Sequence, residues 1–145
     1  MSLIQSAWAD GRSTPPRPQT AGAVHVAKFR FPVARDIGAG DVLEIGILPA
    51  FAHIVDAALV AEGAFAAVTA DVGLMSGAAG ELNDARTVGN QLFAAGALTG
   101  VVRLSRPEAL ALPAGNVDRG IGVKFSGAVT GGAGKYVTLV LSFVQ

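Results

Sequence analysis

The sequence has no cysteine. Disulfide frameworks, zinc fingers, iron–sulfur sites and thiol nucleophiles are therefore excluded. Small secreted domains more often carry disulfides, so synthesis inside a cell is the expectation. Histidine is scarce: His25 and His53 stand alone, with no second histidine at metal-ligand spacing. Charge is scarce too. Charged residues make up 15% of the chain, against about 25% in typical domains. Aromatics reach 6%. No apolar run is long enough to cross a membrane. The nearest, 45–61, is interrupted by Pro49, His53 and Asp56. Met1–Asp10 has neither the basic region nor the apolar core of a signal peptide, so no secretion signal is expected.

What is present is small and apolar. There are 27 alanines, 19 glycines and 17 valines, and 51% of the chain is hydrophobic. Wholesale disorder needs the opposite composition. At 145 residues one domain with a real core is the natural reading. So few charges leave apolar surface for a partner. The net charge is zero but unevenly laid out. Residues 1–35 hold five bases against Asp10. Residues 36–84 hold eight acids and no base. Residues 85–145 hold six bases against Glu108 and Asp118. Opposite segments are expected to meet, within the fold first and between subunits second.

Residues 1–20 read as an arm. Prolines at 15, 16 and 18 forbid helix there and favour extended backbone. The arm carries the sole tryptophan, Trp8, with Arg12 and Arg17. It either folds back on its own domain or docks Trp8 on a neighbouring subunit. After it the pattern becomes strand-like. Val24 and Val26 lie on one face and Phe29 and Phe31 on the other, with a phase change near Ala27 that predicts a bulge. Asp41–Leu48 alternates, with Leu43, Ile45 and Ile47 inward and Glu44 and Gly46 outward. Further strands are expected over 53–61, 65–74, 101–104, 121–125 and 137–143. Glycine-rich turns separate them, and Gly131–Gly134 reads as the hairpin loop between the last two. A short helix is the alternative over Val88–Leu98, and the alanines of 57–70 keep a helix open there as well. Strands apolar on both sides fit a sheet covered on both faces, by a second layer or by another subunit.

No catalytic constellation emerges. There is no G-x-S-x-G elbow. The phosphate-loop pattern around Gly134-Lys135 fails at Val129 and Tyr136, and the dinucleotide pattern at Gly38-Ala39-Gly40 fails at Leu43. Asp56 and Asp71 would form a carboxylate pair if strands 53–61 and 65–74 were neighbours; solvated carboxylates are the simpler reading. A nucleic-acid interface would need a basic stripe, and none is present.

Three runs carry a resemblance: Asp71-Val72-Gly73-Leu74-Met75-Ser76-Gly77, Ala85-Arg86-Thr87-Val88-Gly89-Asn90-Gln91-Leu92-Phe93, and Asp118-Arg119-Gly120-Ile121-Gly122-Val123-Lys124-Phe125. With Leu48-Pro49-Ala50 before them, residues 40–145 resemble small virion structural proteins of tailed bacteriophages, of the head decoration or cement type. The resemblance does not reach the arm. It implies a compact β-rich domain that binds the outside of a capsid, often as a trimer, and works by surface complementarity. No functional residues carry over.

The expectation is thus an all-β, jelly-roll-like β-sandwich over 21–145, preceded by the extended arm 1–20, with room for one short helix. It would be no enzyme, with no cofactor and no metal. It would be a decoration protein of the phage head, made in the bacterial cytoplasm, with the major capsid protein as partner and a homotrimer as the favoured state. Neither nucleic acid nor membrane would be bound. The partner-binding candidates are Trp8, Arg12, Arg17, Arg86 and Phe93. The alternatives are a tail or fibre component binding a host-surface glycan, and a β-sandwich hydrolase using carboxylates.

Overall fold

The structure, a computed structural model, describes residues 2–14 and 23–145. Nine strands form among the described residues: β1 (Leu3–Gln5), β2 (His25–Pro32), β3 (Val42–Leu48), β4 (His53–Glu62), β5 (Thr69–Leu74), β6 (Phe93–Ala97), β7 (Gly100–Arg103), β8 (Arg119–Phe125) and β9 (Tyr136–Val144). Period-two apolar patterning accounts for them. Val137, Leu139, Leu141 and Phe143 of β9 are fully buried, as are Ile121 and Val123 of β8 and Phe29 of β2. These side chains fill the space between two sheets.

The pairing is nested. β2 pairs with β9, β3 with β8, β4 with β7 and β5 with β6, all antiparallel. The chain is one long hairpin whose turn lies between β5 and β6. Rolling that hairpin adds the β4–β9 and β5–β8 ladders and closes two sheets over one core. Their orders are β2-β9-β4-β7 and β1-β3-β8-β5-β6. Without β1 this is the eight-stranded jelly roll. The first is the open sheet and the second the covered sheet.

β1 is an addition at the edge of the covered sheet, parallel to β3. Residues 2–13 therefore lie on their own domain. Ser6 Oγ donates to Ile45 O at 2.6 Å, and Trp8 meets the Phe29 ring edge-on at 5.3 Å.

Several local expectations are corrected. β2 runs in unbroken register with β9 from His25 to Pro32, so there is no bulge at Ala27. His25, Ala27, Phe29 and Phe31 share the inner face instead. Register shifts lie elsewhere, in β4 between Ile54 and Asp56, in β5 between Ala70 and Val72, and in β3 between Glu44 and Gly46. The shift in β3 turns Gly46 to the core, where an added Cβ would sit 2.5 Å from the Phe29 ring. Ile47 then shares the outer face with Gly120. Val88–Leu98 is not helical. Phe93 pairs with Val72, and Ala95 takes a positive φ of 49° that no helix accommodates. Among the described residues one short helix forms, α1 (Pro107–Leu110), after Arg106 in extended conformation. Proline pre-sets φ at a first helical position and forces its predecessor out of the helix. The 57–70 alanines are not helical: Ala57, Ala58 and Ala61 are buried in β4, Ala70 lies in β5, and Ala64, Ala66 and Ala67 lie in the turn between them. Finally, Gly131–Gly134 is no hairpin loop. β8 and β9 lie in different sheets, and the segment crosses between them, with Gly132 N–H bonded to Val33 O at 2.9 Å.

Candidate functional site

A protein that works by docking displays its function on its surfaces. The two outer faces of this sandwich differ sharply. That of the covered sheet lies under the chain itself. Residues 75–92, joining β5 to β6, fold back across it. A connection this long without secondary structure is uncommon and usually has a role. Glycines make the floor. Gly73 and Gly122 are direct cross-strand neighbours. A Cβ on Gly122 would lie 2.6 Å from both Met75 and Val88, and one on Gly73 would lie 2.5 Å from the Gly89 backbone. The loop sits where side chains would otherwise stand. Gly89 N–H bonds Leu74 O at 3.0 Å, Leu92 N–H bonds Val72 O at 3.0 Å, and Gln91 Oε1 accepts from Leu74 N–H at 3.1 Å.

A buried ion pair pins this layer. Arg86 reaches from the loop to Glu44 on β3, and both are almost wholly buried. Arg86 also donates from Nε to Ser76 O at 2.7 Å and from Nη1 to Glu81 O at 3.0 Å. Glu44 Oε1 accepts from Gly80 N–H at 2.9 Å and from Gln5 Nε2 at 3.2 Å. Glu44 thus gathers the arm, the sheet and the loop at one carboxylate. Such a pair is tolerable inside only because the hydrogen bonds replace water. Nearby, Asp41 secures the start of the arm. Backbone N–H groups of Ser2 and then Gly38 donate to its carboxylate and hold its pKa below the ordinary value.

The open sheet leaves Val26, Lys28, Arg30, Val101 and Arg103 exposed on its outer face. Its outward residues follow from the registers. Val26 stands level with Ser142 and Asp56. Lys28 is level with Val140, Ala58 and Arg103, and Arg30 with Thr138, Val60 and Val101. The solvent face of a two-sheet sandwich is usually polar. Here the central strand β9 shows no charge, and the valines run from one edge to the other. Val26 and Val101 are 58% and 61% exposed. Two ion pairs flank them, Arg30 with Glu62 at 3.1 Å while stacked over Tyr136, and Arg103 with Asp56 at 3.6 Å.

Four of the five candidates from the sequence fall in three places. Trp8 and Arg12 line one cleft of about 420 Å³ between the arm and β2, together with Gln5, Arg30, Phe31 and Pro32. Arg12 is exposed and paired with Asp10 at 2.6 Å. Arg17 lies outside the described residues. Arg86 is the buried clamp just described, and Phe93 is 4% exposed in the core. As placed, neither Arg86 nor Phe93 offers its side chain to a partner. The carboxylate pair does not form. Asp56 is on β4 and Asp71 on β5, in different sheets; Asp71 instead accepts from Ala95 N–H at 2.8 Å. Among the described residues there is no group of three metal-ligating side chains and no helix long and apolar enough to cross a membrane. The segregated charges meet within the fold. Arg30–Glu62, Arg86–Glu44 and Arg103–Asp56 each join an end segment to the acidic middle. Sequence reasoning singled out no residue of the valine face. Its trace was the two-sided apolar pattern of 53–61 and 137–144.

The fold and both faces can now be set beside known structures. A chain in the capsid of Ralstonia phage GP4 matches over 99% of this chain and 98% of its own, with a TM-score of 0.90 and 40% identity. The chain belongs to a family of bacteriophage capsid structural proteins. Its place is the virion, in the phage head. The match includes the arm, which the sequence resemblance had left out. That extension fits β1, which is part of the sheet. A chain of the cyanophage Pam1 capsid asymmetric unit matches 92% of each chain at a TM-score of 0.62 and 16% identity. One from the acidic stable capsid structure of Helicobacter pylori bacteriophage KHP30 matches 87% of this chain and 90% of its own, at 0.57 and 13%. At those identities the likeness is of fold. No protein-family profile and no curated protein matches the chain.

Proposed function

We propose that this capsid-family chain is a decoration, or cement, protein. It binds the outer surface of the assembled phage head, with the major capsid protein as its partner, and does so as a homotrimer. The observation that carries the reading is the full-length likeness to a chain of the Ralstonia phage GP4 capsid. The folded-back arm supports it. A subunit that forms the continuous shell must reach its neighbours. Here residues 2–13 are occupied on their own β3 edge. A ligand that binds the mature lattice but not free subunits stabilises the lattice by mass action. Three linked contacts add avidity without demanding one strong contact. No covalent chemistry is required of the chain.

Light scattering on the purified protein, with co-sedimentation on heads assembled without it, tests this. The expected outcome is a trimer that pellets with those heads and raises their melting temperature. A chain that assembles closed shells by itself would instead be the shell subunit. A monomer that ignores heads would move the search to the tail and to host glycans.

A further inference from the structure

We infer that the outer face of the open sheet is the surface laid against the head, and that its occupant is a different chain presenting an aliphatic patch with a carboxylate opposite Lys28. This rests on the decoration reading above and adds the surface and the chemistry of the contact. Size is the first argument. β2, β4, β7 and β9 have 8, 10, 4 and 9 residues. At a spacing of about 4.8 Å and a rise of about 3.3 Å they project roughly 500 Å². With side-chain relief the face approaches the ~800 Å² that each partner gives a standard stable interface. Its composition is mixed in the same way: a valine row of Val26, Val140, Val60 and Val101 running between the edges, with Lys28, Arg30, Asp56, Glu62 and Arg103 beside it.

Charge opposes one occupant, a second copy stacked face to face. A second copy stacked face to face about an axis along the strands would set Lys28 against Arg103. An axis across the strands would set Lys28 against Arg30 and Asp56 against Glu62. Both follow from the registers, and like charges brought together in this way oppose association. Arg30 and Arg103 already hold Glu62 and Asp56. Among the described residues no carboxylate lies within ion-pair distance of Lys28. It is the charge this face leaves for a partner to meet.

The test uses the full chain and heads assembled without it. Val26→Glu and Val101→Glu place charge at exposed positions and leave the core intact. Both should retain the wild-type melting temperature and bind heads at least about tenfold more weakly. Lys28→Glu should weaken binding about tenfold, and Lys28→Arg should restore most of it. Leu82→Glu, on the loop over the covered sheet and 84% exposed, should bind as wild type. Wild-type binding by all three Glu variants of the open sheet overturns this inference and leaves the decoration reading standing. So does loss of binding by Leu82→Glu alone. Failure of the wild-type protein to bind heads overturns the decoration reading, and this inference with it. If the Glu variants instead dissolve a self-assembled oligomer while head binding persists, the occupant is a second copy and the inference fails.

Discussion

One outer face of this sandwich is covered by its own chain, and the other is not. The covered sheet has glycines where outward side chains would stand, a loop laid over them, and a buried Glu44–Arg86 pair that closes the layer. The open sheet has valines in the equivalent outward positions and only surface ion pairs around them. The contrast separates two uses of the same strand pattern. Glycine lets backbone approach backbone, so the cover is intramolecular and permanent. Valine keeps neighbouring backbone away but offers area, which suits a cover that arrives from outside. Charge follows the same division. The pair on the covered side is desolvated and structural. The pairs on the open side stay wet, where each contributes about 0–1 kcal/mol.

The largest expected effect lies in the clamp. Arg86→Met leaves Glu44 buried without its partner, which should cost about 3–5 kcal/mol and lower the melting temperature by roughly 10 °C. Glu44→Gln combined with Arg86→Met removes both charges and should recover much of that loss. A double variant no more stable than the single would show that the hydrogen bonds, not the charges, hold the layer. Thermal denaturation of the three proteins decides it.

Next comes the glycine floor. Gly73→Ala drives a Cβ into the Gly89 backbone and should cost about 1–3 kcal/mol. Denaturant titration measures the loss, and hydrogen exchange should show it concentrated in residues 75–92. Uniform loss of protection would mean that the loop and sheet unfold as one unit. On the open sheet the same measurements should barely move. Val101→Glu should change stability by less than about 0.5 kcal/mol, because its side chain is already in water. A large loss there would erase the contrast between the faces.

The smallest effect is electrostatic. Asp41 has a folded pKa below its ordinary value because Ser2 and Gly38 N–H groups bond its carboxylate. Its contribution is therefore present above the ordinary carboxylate pKa and lost as pH falls through the lowered folded value. Trp8 fluorescence should report the arm loosening only in that acid range, and Asp41→Asn should shift the transition. A transition near neutral pH would implicate another group.

Much of this was available before any coordinates. Alternation in 121–125 and 137–143 marked both strands and their buried sides, because a side chain every second residue must face the same way. Where alternation misled, the cause was tertiary. Glu44 reads as an outward, solvated residue by position, and it does face outward. It is buried because Arg86, forty-two residues later in the chain, arrives over it. Asp56 and Asp71 looked like neighbours because they are close in sequence, and the nested pairing sends their strands to different sheets. The arm's composition left open whether it folds back or docks on a neighbour, and a three-residue strand ahead of the prolines adds to β3 of its own chain.

The residues alone thus determined an apolar, cysteine-free all-β sandwich, the inward side of most strands, and the kinship to phage head proteins. Only the tertiary structure decided which face was closed by the chain's own loop and which was left exposed. The reason is range. A strand's pattern comes from neighbours two residues away, whereas its cover comes from segments brought together by a rolled hairpin that pairs β2 with β9 across almost the whole chain.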